Sequence, residues 1–239
     1  MRRRIIVFIL LVIILAVGGF LLFSKGGDSP SGSSKTQSKF KNPSGLNKDE
    51  VAKYTIDNPA SIYYIVNKKR AVSSTYVPDN LVTLNGAQLR ADTANALNQL
   101  ISAAGDDGVN IKILSGYRSY TYQTQVYNNY VKKDGRAKAD TYSARPGHSE
   151  HQTGLAADLG GSSCDLQICF GDTQAGQWLA EHAHEYGFII RYPKGKERLT
   201  GYQYEPWHVR YMGIDLATKI YKSGKTMEQF FGVPFATTY

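Results

Sequence analysis

The chain has 239 residues, enough for one sizeable domain with additional segments or for two very small domains. Its formal net charge is +8, but residues 47–239 hold 21 basic and 19 acidic side chains, so most of the excess lies before residue 47. The domain that remains has the balance of an ordinary solvated surface, which argues against binding to nucleic acid.

The first 23 residues have the composition of a membrane segment. Three arginines at positions 2–4 precede 19 residues, 5–23, that carry no charged or strongly polar side chain. A helix of that length, at about 1.5 Å per residue, reaches roughly across the core of a bilayer. A cleaved signal peptide is the alternative, because small residues occur at 16–18, but the apolar run continues beyond them. We favour an uncleaved single-pass anchor at 1–23, with the arginines in the cytoplasm and the rest of the chain exported.

Residues 24–46 are rich in serine, glycine and lysine. Such a segment cannot bury enough apolar surface to offset the entropy of ordering, so we expect a flexible linker. The folded domain is then predicted at 47–239, outside the membrane. No internal repeat is visible in it.

Helical and extended patterns alternate along this domain in an irregular order. In chain order, the patterns predict strands at 61–66 and 80–84, a helix at 89–104, a strand at 109–114, a helix at 120–133, a strand at 154–159, a helix at 173–186, strands at 188–192 and 206–211, and helices near 214–222 and 226–231. Thr173 is a predicted helix N-cap, and Gly135 and Gly187 are predicted to end helices. This order indicates an α+β domain with a small, mostly antiparallel sheet flanked by helices.

Two cysteines, Cys164 and Cys169, lie close together in the segment that follows the strand at 154–159. In an exported protein such a pair favours a local disulfide, with free thiols as the alternative. A four-thiolate zinc site is disfavoured because the chain has no second pair of cysteines.

Histidine and carboxylate side chains are concentrated in the segment RPGHSEHQTGLAADL, at residues 145–159. His151 and Asp158 are separated by Gly154, which permits a sharp turn, so both side chains could reach one zinc ion. His148 competes with His151 for that role, since it lies in the same loop. His182 and His184 are predicted to be ordinary residues on the surface of a helix.

A third ligand and a base are predicted further along the chain. His208 follows Glu205 by three residues, and a carboxylate at that spacing could accept a proton from a water molecule beside a metal. Arg118 is the right kind of group to stabilise a developing oxyanion. Spacing alone leaves the metal hypothesis open, because each residue also has an ordinary structural role available to it.

Three motifs in order strengthen the hypothesis by resemblance to a known family. They are Ser149-x-His151-x-x-Gly154-x-Ala156-x-Asp158, then Glu205-x-Trp207-His208, and, earlier in the chain, Ser115-Gly116-Tyr117-Arg118-Ser119. The chain resembles the VanY-type D-alanyl-D-alanine carboxypeptidases, bacterial zinc peptidases that trim peptidoglycan stem peptides and share a fold with VanX, lysostaphin-type enzymes and the hedgehog domain. The resemblance covers essentially all of 47–239.

The resemblance implies a site in detail. His151, Asp158 and His208 are expected to bind Zn²⁺, Glu205 to be the catalytic base, and Arg118 to polarise the scissile carbonyl. Gln123, Ser149 and Trp207 fall where relatives contact the peptide. On this basis His148 and Glu150 are expected to be dispensable for metal binding.

The predicted function is removal of the C-terminal D-alanine from cell-wall stem peptides by a membrane-tethered, monomeric enzyme. Two alternatives stay open: L,D-cleavage of a tetrapeptide, and a non-catalytic wall-binding module on the same fold. The presence of Glu205 argues against the second, since a binding module needs no base.

Overall fold

The computed structural model describes residue 46 and residues 48–239. Its strands are β1 (Leu81–Leu84), β2 (Ala87–Arg90), β3 (Lys112–Ser115), β4 (Ala156–Gly160), β5 (Phe188–Tyr192) and β6 (Glu205–Tyr211). Its α-helices are α1 (Lys48–Ala52), α2 (Ala91–Asp106), α3 (Tyr120–Asp134), α4 (Arg136–Ala139), α5 (Gln174–His182), α6 (Glu197–Thr200), α7 (Ile214–Ser223) and α8 (Met227–Phe231). Short 3₁₀ turns occupy Glu150–Thr153, Ile168–Asp172 and Ala183–Tyr186.

Four strands form one antiparallel sheet in the order β3-β4-β6-β5, and β1 and β2 form a separate hairpin. In the central pair, Asp158 of β4 lies directly opposite His208 of β6. In the next pair, Tyr192 of β5 lies opposite Glu205. The fold is therefore α+β with a small antiparallel sheet, as predicted, and the strand register brings distant parts of the chain together at the middle of that sheet.

Two apolar layers enclose the sheet. Leu97 of α2 and Leu179 of α5 pack against Val209 in one cluster. Ile189 packs with Leu216 of α7 in a second cluster, which also contains residues of α8. Because successive side chains of a strand point to opposite faces, the sheet contributes to both layers.

Most predicted strands are present, but two differences concern the first half of the domain. Residues 61–66 are not a strand, because arginine side chains occupy their carbonyl groups: Arg210 binds the carbonyls of Ile62 and Tyr64, and Arg70 that of Ile65. Strand β2 was not predicted, although the Asn85-Gly86 turn before it is a typical hairpin signal, with φ of 48° and 86°.

The predicted helix ends follow from their capping residues. The Thr173 hydroxyl accepts a hydrogen bond from the backbone N–H of Gly176, and Gly135 and Gly187 have positive φ where helices stop. The helix predicted at 173–186 changes after His182 into a 3₁₀ turn. Neither the short helices α1, α4 and α6 nor the turn at Glu150–Thr153 was predicted.

The predicted anchor at 1–23 lies outside the described residues, and so does the predicted linker apart from residue 46. Among the helices of the described part, none combines the length and the apolar character needed to cross a membrane.

Candidate metal centre and active site

His151, Asp158 and His208 meet at the centre of the sheet. Their ligand atoms all lie within 4.8 Å of one another, and all three residues are buried. His151 comes from the 3₁₀ turn, Asp158 from β4 and His208 from the facing position of β6. The turn between the first two depends on Gly154, which has φ of +68° and little room for a Cβ atom, since one would lie 3.1 Å from side-chain carbons of Leu81 and Arg90.

The orientation of each imidazole leaves one nitrogen for a metal. His151 directs Nδ1 to the carbonyl of Gly116 at 2.7 Å, and its Nε2 lies 3.2 Å from Asp158 Oδ2. His208 is turned the other way: Nδ1 lies 3.1 Å from Asp158 Oδ1, and Nε2 lies 3.4 Å from Glu150 Oε2. A second partner on the outer nitrogen is the usual way in which a protein fixes the tautomer of a metal-binding histidine. The donor set, two imidazoles and a carboxylate, fits a catalytic zinc site.

The electrostatics of these three groups suit a cation. Burial alone raises the pKa of Asp158, but His151 and His208 outweigh it and hold the pKa well below the usual value, so that the carboxylate is charged. Burial lowers the pKa of His151, which favours the neutral imidazole that a metal requires. Hydrogen bonds to Asp158 and Glu150 overcome burial and raise the pKa of His208 to about 9, so a metal would have to displace a proton there.

Glu205 lies beside the cluster without belonging to it. It is the first residue of β6, and its Oε2 is 3.9 Å from His208 Nδ1. Burial raises the pKa of this carboxyl to about 8, and His208 and Arg118 oppose the rise. A dication nearby would lower this raised pKa toward the range in which a carboxylate can exchange protons near neutral pH.

Arg118 is held against the same cluster by three side chains. Its Nη2 donates to Ser115 Oγ at 3.1 Å and to Asp158 Oδ2 at 3.2 Å, and its Nη1 donates to Gln123 Oε1 at 2.9 Å. The amide nitrogen of Gln123 donates in turn to the carbonyl of Ala144 at 2.7 Å. Gln123, predicted to contact a peptide, uses one acceptor and one donor position of its amide within the protein, where it orients Arg118; the predicted peptide contact stays a prediction.

The cluster opens into a cleft of about 360 Å³. All eight residues predicted for catalysis, metal binding or peptide contact line it: Arg118, Gln123, Ser149, His151, Asp158, Glu205, Trp207 and His208. Tyr192 and Tyr202 also line the cleft and were not predicted. Burial raises the pKa of both phenols well above 10, so they stay neutral and able to donate a hydrogen bond.

A buried cluster of charges lies behind His208. Glu150 Oε1 accepts from Arg191 Nε and from Arg210 Nη1, both at 2.8 Å, while Oε2 faces His208. Arg191 also donates to both carboxylate oxygens of Glu228, at 2.6 and 3.1 Å. None of these four charged side chains is exposed, so the ions must satisfy one another.

This arrangement argues against the expectation that Glu150 is dispensable for metal binding, because Glu150 is the outer partner of His208. The sequence held a signal for it. Arg191 and Arg210 each interrupt a run of apolar residues in strands that the pattern predicts to be buried, and a buried arginine requires a carboxylate partner.

The remaining histidines of the described part lie outside the cluster. His148 directs Nδ1 to the carbonyl of Asn67 at 2.9 Å, and its ring packs edge-on against Tyr239. His184 stacks on Tyr221, and His182 lies beside Trp178. Cys164 and Cys169 form a disulfide with a Cα–Cα distance of 5.6 Å, in the loop that follows β4.

Comparison with known proteins identifies the family. A model of the VanY family, described as D-alanyl-D-alanine carboxypeptidase, matches residues 86–214, a stretch that contains the whole cluster. The chain belongs to the VanY family. YodJ of Bacillus subtilis (strain 168), which carries a provisional carboxypeptidase name, is 41% identical over 189 residues, covering 74% of this chain and 69% of YodJ.

Solved VanY-like structures share the fold. The LD-carboxypeptidase LdcB, solved in a study of peptidoglycan recognition, is 41% identical, with a TM-score of 0.69 over 73% of this chain and 87% of that one. A mutant of the vancomycin-resistance D,D-pentapeptidase VanY from a VanB-type cassette, in complex with Zn(II), is 35% identical, with a TM-score of 0.62 over 70% of this chain and 96% of that one.

Proposed function

We propose that the protein is a zinc-dependent D-alanyl-D-alanine carboxypeptidase that removes the C-terminal D-alanine from peptidoglycan stem peptides. The observation that carries the proposal is the meeting of two imidazoles and a carboxylate in one cleft, with a buried carboxyl and a fixed guanidinium beside them. Membership of the VanY family supports the same activity.

His151 through Nε2, Asp158 through its carboxylate and His208 through Nδ1 would hold the zinc ion. When bound, zinc acts as a Lewis acid and brings the ionisation of a water molecule into the neutral range. The Zn(II) complex of the related VanY structure supports the choice of metal.

The other side chains have separate tasks in the proposed reaction. Glu205 accepts the proton of the attacking water and later donates it to the departing amine of D-alanine. Arg118 stabilises the negative charge that develops on the scissile carbonyl oxygen, and Gln123 keeps its guanidinium directed into the cleft. Ser149 and Trp207 line the cleft where the peptide would lie.

A second candidate is L,D-cleavage, which would release D-alanine from a tetrapeptide. It is favoured by the higher identity to the LD-carboxypeptidase LdcB, 41%, than to the D,D-pentapeptidase, 35%. Both reactions use the same attack on a carbonyl and differ in the residue that precedes the released alanine.

The location is also a proposal, and it rests on sequence. The apolar run at 5–23 behind three arginines supports a single-pass anchor in the bacterial cell membrane, with a monomeric catalytic domain outside. Fractionation of cells followed by protease treatment of intact cells would test it: the chain should sediment with membranes and be digested from outside.

The activity is tested by incubating the full-length chain, purified in detergent, with a stem pentapeptide and a tetrapeptide, with and without a chelator. Chelator-sensitive release of D-alanine from the pentapeptide supports D,D-cleavage, and release from the tetrapeptide alone supports L,D-cleavage. Glu205→Gln should keep its zinc while turnover falls about 10²- to 10⁴-fold. No chelator-sensitive release from either peptide would refute the carboxypeptidase proposal.

A further inference from the structure

Leu166 occupies an unusual position in the loop that follows β4. Its φ is +56°, and among the described residues only two other non-glycine residues, Thr55 and Asn85, have positive φ. Leucine is disfavoured in this left-handed region because of its Cβ atom, and such outliers persist only where the surrounding structure enforces them.

The loop is built so that it holds this conformation. The disulfide between Cys164 and Cys169 closes a ring that contains Leu166. Asp165, the preceding residue, accepts hydrogen bonds from the backbone N–H groups of Gly161 and Ser162 at 2.8 and 2.9 Å. The backbone is therefore fixed on both sides of Leu166.

This loop presents the leucine to the catalytic cleft. The Leu166 side chain lines the cleft although the residue is 50% exposed, and Leu114, which is 39% exposed, lines it as well. Gly160, two residues after Asp158, packs against Leu114 and against Asp165, the residue before Leu166: a Cβ atom there would lie 2.6 Å from both Leu114 Cδ1 and Asp165 Cγ. We call Leu114 and Leu166 the leucine rim.

We propose that Leu166 is a specificity-determining residue that binds an aliphatic side chain on the acyl side of the scissile bond. The inference rests on the proposed function. A carboxypeptidase releases the C-terminal residue of its substrate. The rest of the peptide therefore lies on the acyl side of the scissile bond and extends toward the solvent-exposed opening of the cleft. The leucine rim is exposed at that opening, so it contacts the acyl side of the substrate. When an aliphatic group covers the rim, apolar surface is removed from water, and this burial favours binding.

The test compares two peptides that end in the bond cleaved by the wild-type enzyme and that differ in one acyl-side residue, norleucine or glycine. Leu166→Asn keeps a residue that tolerates positive φ but makes the side chain polar. We expect KM for the norleucine peptide to rise about 5- to 20-fold, with kcat within about twofold and zinc content unchanged, whereas the glycine peptide is hardly affected. Leu166→Gly, which relaxes the backbone, should give the same pattern, and Leu166→Met should restore wild-type behaviour.

Ile168→Asn is the matched control. Ile168 is 53% exposed and lies in the same disulfide ring but does not line the cleft, so neither peptide should be affected. An equal loss on both peptides, or an unchanged KM in Leu166→Asn and Leu166→Gly, would overturn the proposal. Failure of the proposed function is distinct from this, since the wild-type enzyme would then release no alanine from any peptide.

Discussion

Replacing Glu150 by glutamine tests whether the buried carboxylate behind His208 controls the metal site. Oxygen Oε1 of Glu150 accepts from both Arg191 and Arg210, so a glutamine oxygen would remain with the two arginines. Its NH₂ group would then face His208 Nε2, which lies 3.4 Å from Glu150 Oε2, and two donors would oppose each other. The substitution should therefore disturb the orientation of the ring.

Two losses are expected from this change. Removing one member of a fully buried ion cluster costs about 3–5 kcal/mol of the free energy of unfolding. Loss of an outer partner of a metal-binding histidine lowers metal affinity about 10- to 100-fold, equivalent to about 1.4–2.8 kcal/mol. The stability loss alone says nothing of the metal, so a second variant must separate the two effects.

Glu228→Gln is that matched variant. Glu228 is equally buried and binds Arg191 through two hydrogen bonds, but its carboxylate contacts Arg191 and Asn67 rather than His208. Urea unfolding in the presence of a chelator should show a similar loss of stability in both variants. Competition with a chromophoric zinc chelator should show weaker binding only in Glu150→Gln. Equal zinc affinity in the two variants would refute the reasoning.

Two further predictions concern the neighbouring loop and a charge pair away from the site. His151→Ala should abolish zinc binding, measured as bound metal per chain, whereas His148→Ala should leave it unchanged; the reverse result would mean that the ligand assignment is wrong. Hydrogen bonds from Arg145 and Tyr127 outweigh burial and lower the pKa of Asp140 below 3.8, so the charged carboxylate stabilises the fold above about pH 4 and this contribution is lost as pH falls further. Asp140→Asn should therefore cost about 1–3 kcal/mol at neutral pH, and the difference from wild type in chelator-treated protein should shrink below pH 4; a difference that does not change with pH would contradict this.

The elements that could be predicted are those whose signals are local. Strand β5 and helix α3 lie close to their predicted bounds because alternating or periodic apolar residues are bounded by glycine or by a capping side chain. The segment 61–66 has the composition of a strand, but its Tyr64 carbonyl binds Arg210, which lies 146 positions away in the sequence. No local pattern contains that information.

The sequence by itself determined the motif residues and their order, because His151, Gly154 and Asp158 lie within one turn and one strand. Only the tertiary structure decided how the site is completed. His208 reaches Asp158 through the register of β4 and β6, and Glu150 meets arginines 41 and 60 positions away. A charged side chain can be buried only when its ion-pair partners are buried beside it. Here folding, rather than proximity in the sequence, brings those partners together.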